Sequence, residues 1–332
     1  MKKISLLSFM ARILFLVVVG LLLSWPGSSP AQDEFEVWEE DTSTEELVIV
    51  SECDPTTCEP GRLQRILVIG SLLATAGAGF LIKTQVGRKF RLLFLLTALV
   101  ILGFVWGGCP CPIMGCINLV LFCTGHTIFW LPVVWFLILV ILTYFLGRTW
   151  CGWICPLGGL QEFLYRKGLI PQPGPGVVEI LRWVRRGLTV LLIVWLGITG
   201  INFWLEIDPF KSIFNLMVFG WSGWLLVGAT LVLSLLYYRP FCRVACPLGL
   251  ALGLVGKIPG AAGPVLKGPC ISCGLCVKTC PTGAMSACGS PNMENCIACG
   301  DCLEVCPKGE LTWNRNAGRA YSKKSQALNK KS

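Results

Sequence analysis

Eight cysteines near the end of the chain repeat one spacing twice. Cys270, Cys273, Cys276 and Cys280 are followed by Pro281, and Cys296, Cys299, Cys302 and Cys306 by Pro307. Each run is C-x2-C-x2-C-x3-C-P, the spacing with which thiolates wrap a cubane iron–sulfur cluster in bacterial two-cluster ferredoxins. Three closely spaced thiolates take one corner of the cube, and the fourth, before proline, crosses to the other cluster. On that rule one [4Fe–4S] cluster takes Cys270, Cys273, Cys276 and Cys306, and a second takes Cys296, Cys299, Cys302 and Cys280. Zinc sites favour paired Cys-x-x-Cys over triples, and disulfides are disfavoured in a reducing compartment. Cys288, between the runs, fits neither and is expected to be a spare thiol.

A second repeat pairs Cys151 with Cys155 and Cys242 with Cys246, each in the string C-x3-C-P-L-G, with an arginine (Arg148, Arg239) just upstream. On a helix, positions i and i+4 share a face, so two such faces meeting would offer four thiols to one site. A third cluster, a thiol relay and a bound metal all fit, and so does plain packing with prolines shaping a helix entry. A third group comprises Cys109, Cys111, Cys116 and Cys123, with Met114 and the single histidine, His126. Such soft ligands suit copper(I), while disulfides are the simpler use on an oxidising face. Cys53 and Cys58 suggest a small disulfide-closed turn. One histidine cannot ligate a bis-histidine haem, and Cys-x-x-Cys-His is absent, so no haem is expected.

The elements carrying these residues are strongly apolar. Of 332 residues 54% are hydrophobic and 14% charged, against roughly 25% charged in an ordinary soluble domain. Lys2 and Lys3, an apolar run over 13–23 and Ser29-Pro30-Ala31 read as a signal peptide over 1–31. Residues 32–61 carry eleven acids and no Lys or Arg, an acidic segment expected on the periplasmic side over 32–62 and poor in large apolar groups. Five runs, near 63–82, 92–108, 128–146, 188–205 and 221–238, have the length of bilayer spans. Basic residues crowd alternate connections, placing the C-terminal part in the cytoplasm. The expected fold is an all-α membrane helix bundle of about five transmembrane helices over 63–255. A small α+β two-cluster ferredoxin domain follows over 256–312, then a basic tail over 313–332. The positive balance of +9 fits short loops facing a bilayer better than nucleic acid, and no nucleic-acid partner is expected.

This combination resembles the NapH/NosR-type membrane polyferredoxins, nearer the NapH-like branch because the NosR flavin-binding domain has no counterpart here. The resemblance implies a multi-pass protein of the bacterial inner membrane that passes electrons between the quinone pool and a periplasmic or cytoplasmic redox protein. It could be the membrane subunit of a quinol dehydrogenase. Quinone would be the substrate, and ionisable groups near apolar runs, His126 and Glu206, are candidates for its site, with Asp208 weaker. A related branch serves copper-oxidase assembly, so the alternative is a metal- or disulfide-reducing assembly factor for a partner metalloenzyme.

Overall fold

A computed structural model of the chain describes residues 62–107, 112–126, 130–168, 174–200, 213–214, 220–286 and 291–315. The described residues all fall within one compact unit, Pro60–Ser332. The expected signal peptide, the acidic segment, Cys53, Cys58, Cys109, Cys111, Glu206, Asp208 and Cys288 lie outside the described residues.

The compact unit is helical. Helix α1 spans Arg62–Leu81 and α2 Gln85–Ala98, where the Thr84 hydroxyl accepts from the Gly87 amide at 3.0 Å and caps the helix. A π-helical segment, Leu99–Val105, continues α2. Then come α3 (Pro112–Cys123), α4 (Trp130–Leu146), a π turn over Trp150–Ile154, α5 (Pro156–Leu164) and α6 (Pro175–Thr199). Helices α7 (Gly220–Leu236), α8 (Pro240–Val244) and α9 (Pro247–Val255) complete the body. Helix α4 stops because Gly147 takes φ +88°, the left-handed C-terminal conformation that glycine adopts without strain. Trp135 and Trp150 pack edge-to-face at 5.3 Å within the core so formed.

The cysteine-rich stretch belongs to the same unit. Strands β1 (Gly263–Leu266) and β2 (Leu311–Asn314) pair antiparallel, Gly263 opposite Asn314 and Leu266 opposite Leu311. Between them lie two short helices, α10 (Leu275–Thr279) and α11 (Asp301–Glu304), each entered through a left-handed glycine, Gly274 or Gly300. Two indoles tie this region to the helical body. Trp153 donates to the Ala298 carbonyl at 2.9 Å and Trp313 to that of Leu146 at 3.0 Å.

The helical body and the small ferredoxin-like region match the sequence expectation, but the membrane crossings do not. Among the described residues no helix is long and apolar enough to cross a membrane. Helices α4 and α7 have 17 residues each, about 25 Å at ~1.5 Å per residue, short of a ~30 Å hydrocarbon core. The 92–108 run changes helix type at Ala98 and finishes as the seven-residue π segment. Helix α6 has the length, 25 residues, but carries Glu179, Arg182, Arg185 and Arg186. Helix α1 has 20 residues, with two arginines at its start and three glycines, a serine and a threonine further along. Hydropathy located the helices and overestimated their apolar length.

Candidate iron–sulfur sites

The C-x3-C-P-L-G string is a helix-start signal. Cys155 caps α5 and Cys246 caps α9, each sulfur accepting from the glycine amide three residues on, at 3.4 Å (Gly158) and 3.3 Å (Gly249). The following proline sits in the first turn, where its missing N–H costs nothing. Both helices thus aim their positive ends at the sulfurs. The four thiols Cys151, Cys155, Cys242 and Cys246 line a single cavity.

The upstream arginines are exchanged between the repeats. A Cβ added at Gly158 would lie 2.7 Å from Nη1 of Arg239, and one at Gly249 would lie 3.5 Å from Nη2 of Arg148. Glycine at 158 therefore makes room for the other motif's arginine, whereas a side chain at 249 would meet Arg148 at ordinary contact distance. Arg239 donates to the Cys151 carbonyl, and Arg148 to the Glu294 carbonyl at 2.8 Å and toward the Cys151 sulfur at 3.8 Å. Arg239 itself is 1% exposed and holds φ +49°, a left-handed conformation that packing must impose on a non-glycine residue. Gln161 accepts from the Phe241 amide at 3.2 Å and points its amide at the Cys242 sulfur at 3.7 Å, again linking the repeats.

Two carboxylates hold this layer. Glu162 pairs with Arg91 and with Arg239 (2.5 Å). Burial alone would raise its carboxyl, but the two guanidiniums more than offset that and hold it below the usual carboxylate range. Glu294, its side chain fully buried, pairs with Arg185 (3.3 Å), Arg186 (2.5 Å) and Lys257. Against desolvation, these partners lower its carboxyl to about 2. Burial pushes the thiols of Cys155, Cys242 and Cys246 up, so they are protonated until a metal displaces the proton. The sequence flagged Arg148 and Arg239 but not Arg185, Glu162, Gln161 or Glu294. A polar Gln161-Glu162 pair inside the apolar α5 was the one available signal.

In the ferredoxin-like region one half of the crossed assignment has a geometric counterpart. Cys270, Cys273, Cys276 and Cys306 line one cavity. Cys280 of the first run lies close enough to Cys296, Cys299 and Cys302 of the second to raise their thiols electrostatically, beyond the larger effect of burial. The two loops share a conformation. Ser272 and Ala298, equivalent in the repeats, both take left-handed φ (55° and 58°), as do Gly274 and Gly300. The loops thereby turn amides toward sulfur, Ser272 donating to Cys270 at 3.4 Å and Ala298 to Cys296, and beyond the first run Ala284 donates to Cys280 at 3.2 Å. Partial burial opposes it, yet the amides of residues 308–311 hold the Cys306 thiol below its ordinary value. These donor sets fit iron–sulfur clusters: thiols spread around a cavity, with amides directed at sulfur. Among the described residues no three Cys, His, Asp or Glu side chains gather tightly enough for one metal ion.

Among the described residues the remaining candidates are not brought together. Cys116 is half-buried within α3, its thiol pushed up to about 11 by burial, and Cys123 is exposed at the same helix's end. Neither forms a disulfide, nor does any other described cysteine. His126 is exposed, and its ring lies against Gly200, where an added Cβ would fall 2.6 Å from Cε1. Glu206, its expected companion, lies outside the described residues.

Two iron–sulfur family models match the chain, both described as a 4Fe-4S binding domain, one over residues 128–190 and 219–263 and the other over 265–286. The first takes in all four C-x3-C-P cysteines. The family models and the cysteine sites support iron–sulfur clusters in this chain. Among its relatives is the ferredoxin-type protein NapH of Haemophilus influenzae, 30% identical over 141 residues, or 41% of this chain and 48% of that protein. The protein NirI of Paracoccus denitrificans is 29% identical over 225 residues, 63% of this chain and 33% of NirI. The regulatory protein NosR of Pseudomonas aeruginosa is 34% identical over 121 residues, 33% of this chain and 17% of NosR. The chain spans half or less of the length of each of these relatives. No solved structure matches it. These similarities and the two 4Fe-4S family models support membership of the NapH/NosR-type polyferredoxin family.

Proposed function

We propose that this chain carries electrons between the quinone pool and a partner redox protein through two [4Fe–4S] clusters. One is held by Cys270, Cys273, Cys276 and Cys306 and the other by Cys280, Cys296, Cys299 and Cys302. The observation that carries the cluster assignment is that Cys306 of the second run lines one cavity with Cys270, Cys273 and Cys276 of the first. Bound there, the clusters would supply one-electron carriers, and the chain's own residues would set their access. Cys270 and Cys273 are exposed, as are the side chains of Ile271 and Leu275 beside them, which gives a partner an apolar landing surface next to one cluster. Cys299 and Cys302 are more enclosed.

Quinone dissolves in lipid, and the helices leave apolar surface for a lipid partner. Ile198 is 80% exposed, Leu225 75% and Leu73 67%, an exposed apolar area of the kind that marks interaction surfaces. This supports contact with the bacterial inner membrane, with the cysteine-rich region on the cytoplasmic face following the basic residues near it. The assembly-factor alternative depends on Cys109, Cys111, Cys116 and Cys123. Cys116 and Cys123, the two described, give it no support.

The test is anaerobic. The chain with reconstituted clusters is mixed with a menaquinol analogue and followed by electron paramagnetic resonance. Reduced-cluster signals growing with quinol are expected. Clusters that dithionite reduces and quinol does not would refute quinol as the donor.

A further inference from the structure

The cavity bounded by the two C-x3-C-P motifs has an unusual electrostatic wall. Arg148, Arg185, Arg239 and Arg243 line it, and no carboxylate does. Arg148 is 4% exposed, Arg185 2% and Arg239 1%. The Nε–H groups of these three are buried and have no hydrogen-bond acceptor. Buried charged donors left without acceptors are costly, so three of them around one cavity indicate an occupant that is negatively charged and accepts hydrogen bonds. The N-termini of α5 and α9, both nine-residue helices, point the same way.

We propose that Cys151, Cys155, Cys242 and Cys246 hold a third iron–sulfur cluster of net negative charge, with Arg148, Arg185 and Arg239 as its hydrogen-bond donors. The proposal rests on the electron-carrier reading and adds a centre to it. The thiols line the wall without converging on one point. A lone zinc ion would draw four sulfurs to within ~2.3 Å of itself, whereas a multi-iron core keeps them apart. Four thiolates around an iron–sulfur core leave a net negative charge, which the arginine wall neutralises.

Its position defines a sequence of carriers. Asn295 and Ile297, which flank Cys296, line the same cavity, and so does Thr282, whose hydroxyl is 3.6 Å from the Cys280 sulfur. Tyr165, Tyr238 and Ile297 form one buried cluster against which both Cys151 and Cys299 pack. The third centre is thus wall to wall with the cluster of Cys280, Cys296, Cys299 and Cys302. The exposed cluster of Cys270, Cys273, Cys276 and Cys306 stands at the surface end. Between neighbours one electron moves, the one centre oxidised as the other is reduced, with no proton or bond changing.

The test reconstitutes the full chain anaerobically and measures iron per chain and the reduced-state resonance spectrum. Replacing Cys151 and Cys246 together by Ser should lower iron by about one third, four atoms in twelve, and leave the spectrum of the coupled ferredoxin pair intact. Unchanged iron with that pair present would overturn the third centre alone. A parent chain lacking the pair would overturn the electron-carrier reading itself. Should the serine variant lose every cluster, Arg148→Gln decides. It should retain full iron and lower the midpoint potential of one centre, because removing a nearby positive charge disfavours the added electron. Potentials identical to the parent's would refute the arginine cage.

Discussion

Glu162→Gln tests the layer on which the cysteine motifs stand. Glu162 is the one carboxylate that Arg91 and Arg239 share, and their side chains are 5% and 1% exposed against 12% for its own. It accepts from Arg239 at 2.5 Å and from both terminal nitrogens of Arg91. The amide keeps one acceptor oxygen and presents an NH2 to a guanidinium, so at least one charge-assisted hydrogen bond, worth about 1.5–3 kcal/mol, is lost. Breaking a buried ion pair by removing one partner costs about 3–5 kcal/mol, and the retained acceptor and partial exposure favour the low end. About 3 kcal/mol corresponds to a hundredfold or greater fall in the folded-to-unfolded ratio. The assay is urea unfolding of the reconstituted chain at neutral pH, parent against variant. Because the native carboxyl lies below its usual value, its stabilisation is complete above the unfolded value, near pH ~4.3, and fades as pH falls through the lower folded value. The parent–variant gap should therefore narrow in acid, and acid lability of the clusters affects both proteins alike. A neutral-pH gap under about 0.5 kcal/mol, the size of an ordinary surface change, would refute the reasoning, as would a gap that stays constant into acid.

Three other substitutions probe how the cysteine region is seated. Trp153→Phe leaves the Ala298 carbonyl without its 2.9 Å indole donor; a loss of about 1–3 kcal/mol in urea unfolding is expected, and a silent variant would show the strut to be dispensable. Gly152→Ala drives a methyl group into the Ile297 carbonyl. Because backbone must yield, it should destabilise by more than about 1 kcal/mol and perturb the resonance of the Cys296 cluster, and an unaltered spectrum would contradict that. Ala298→Gly relieves a left-handed residue at φ 58° and should raise stability by about 1 kcal/mol; a lower thermal midpoint would show that the Ala298 methyl matters more to packing than its backbone strain costs.

The cysteine chemistry was legible because it is written in short spacings. Three thiols within seven residues are close enough to serve one cluster whatever the rest of the chain does, and Cys-Pro-Leu-Gly starts a helix by local capping alone. Membrane crossing was misread for the opposite reason. Hydropathy sees the run over 92–108 as continuous, but it cannot see that the helix changes type at Ala98 or that α4 ends at Gly147, one residue past Leu146. The cavity lay between these extremes. The repeat announced two pairs of thiols, yet their meeting depends on contacts such as Arg239 with Cys151, 88 residues apart, and Arg148 with Glu294, 146 apart.

That exchange of arginines also explains why the repeat is kept together as a unit. If each arginine served its own motif, either half could fold around its own thiols, and their separation would be left to chance. Because Arg239 bonds the Cys151 carbonyl and Arg148 lies over Gly249, neither motif is complete until the other is docked. Glu294 extends the condition to the ferredoxin-like region, since it accepts from Arg185 and Arg186 of α6 and from Lys257 only two residues before Cys296. The distance between the thiol cavity and the ferredoxin-like cysteines is then set by buried charge pairs that tolerate little displacement. If the chain carries electrons as proposed, a rate that falls steeply with separation gives it reason to bear the desolvation cost of so many buried arginines.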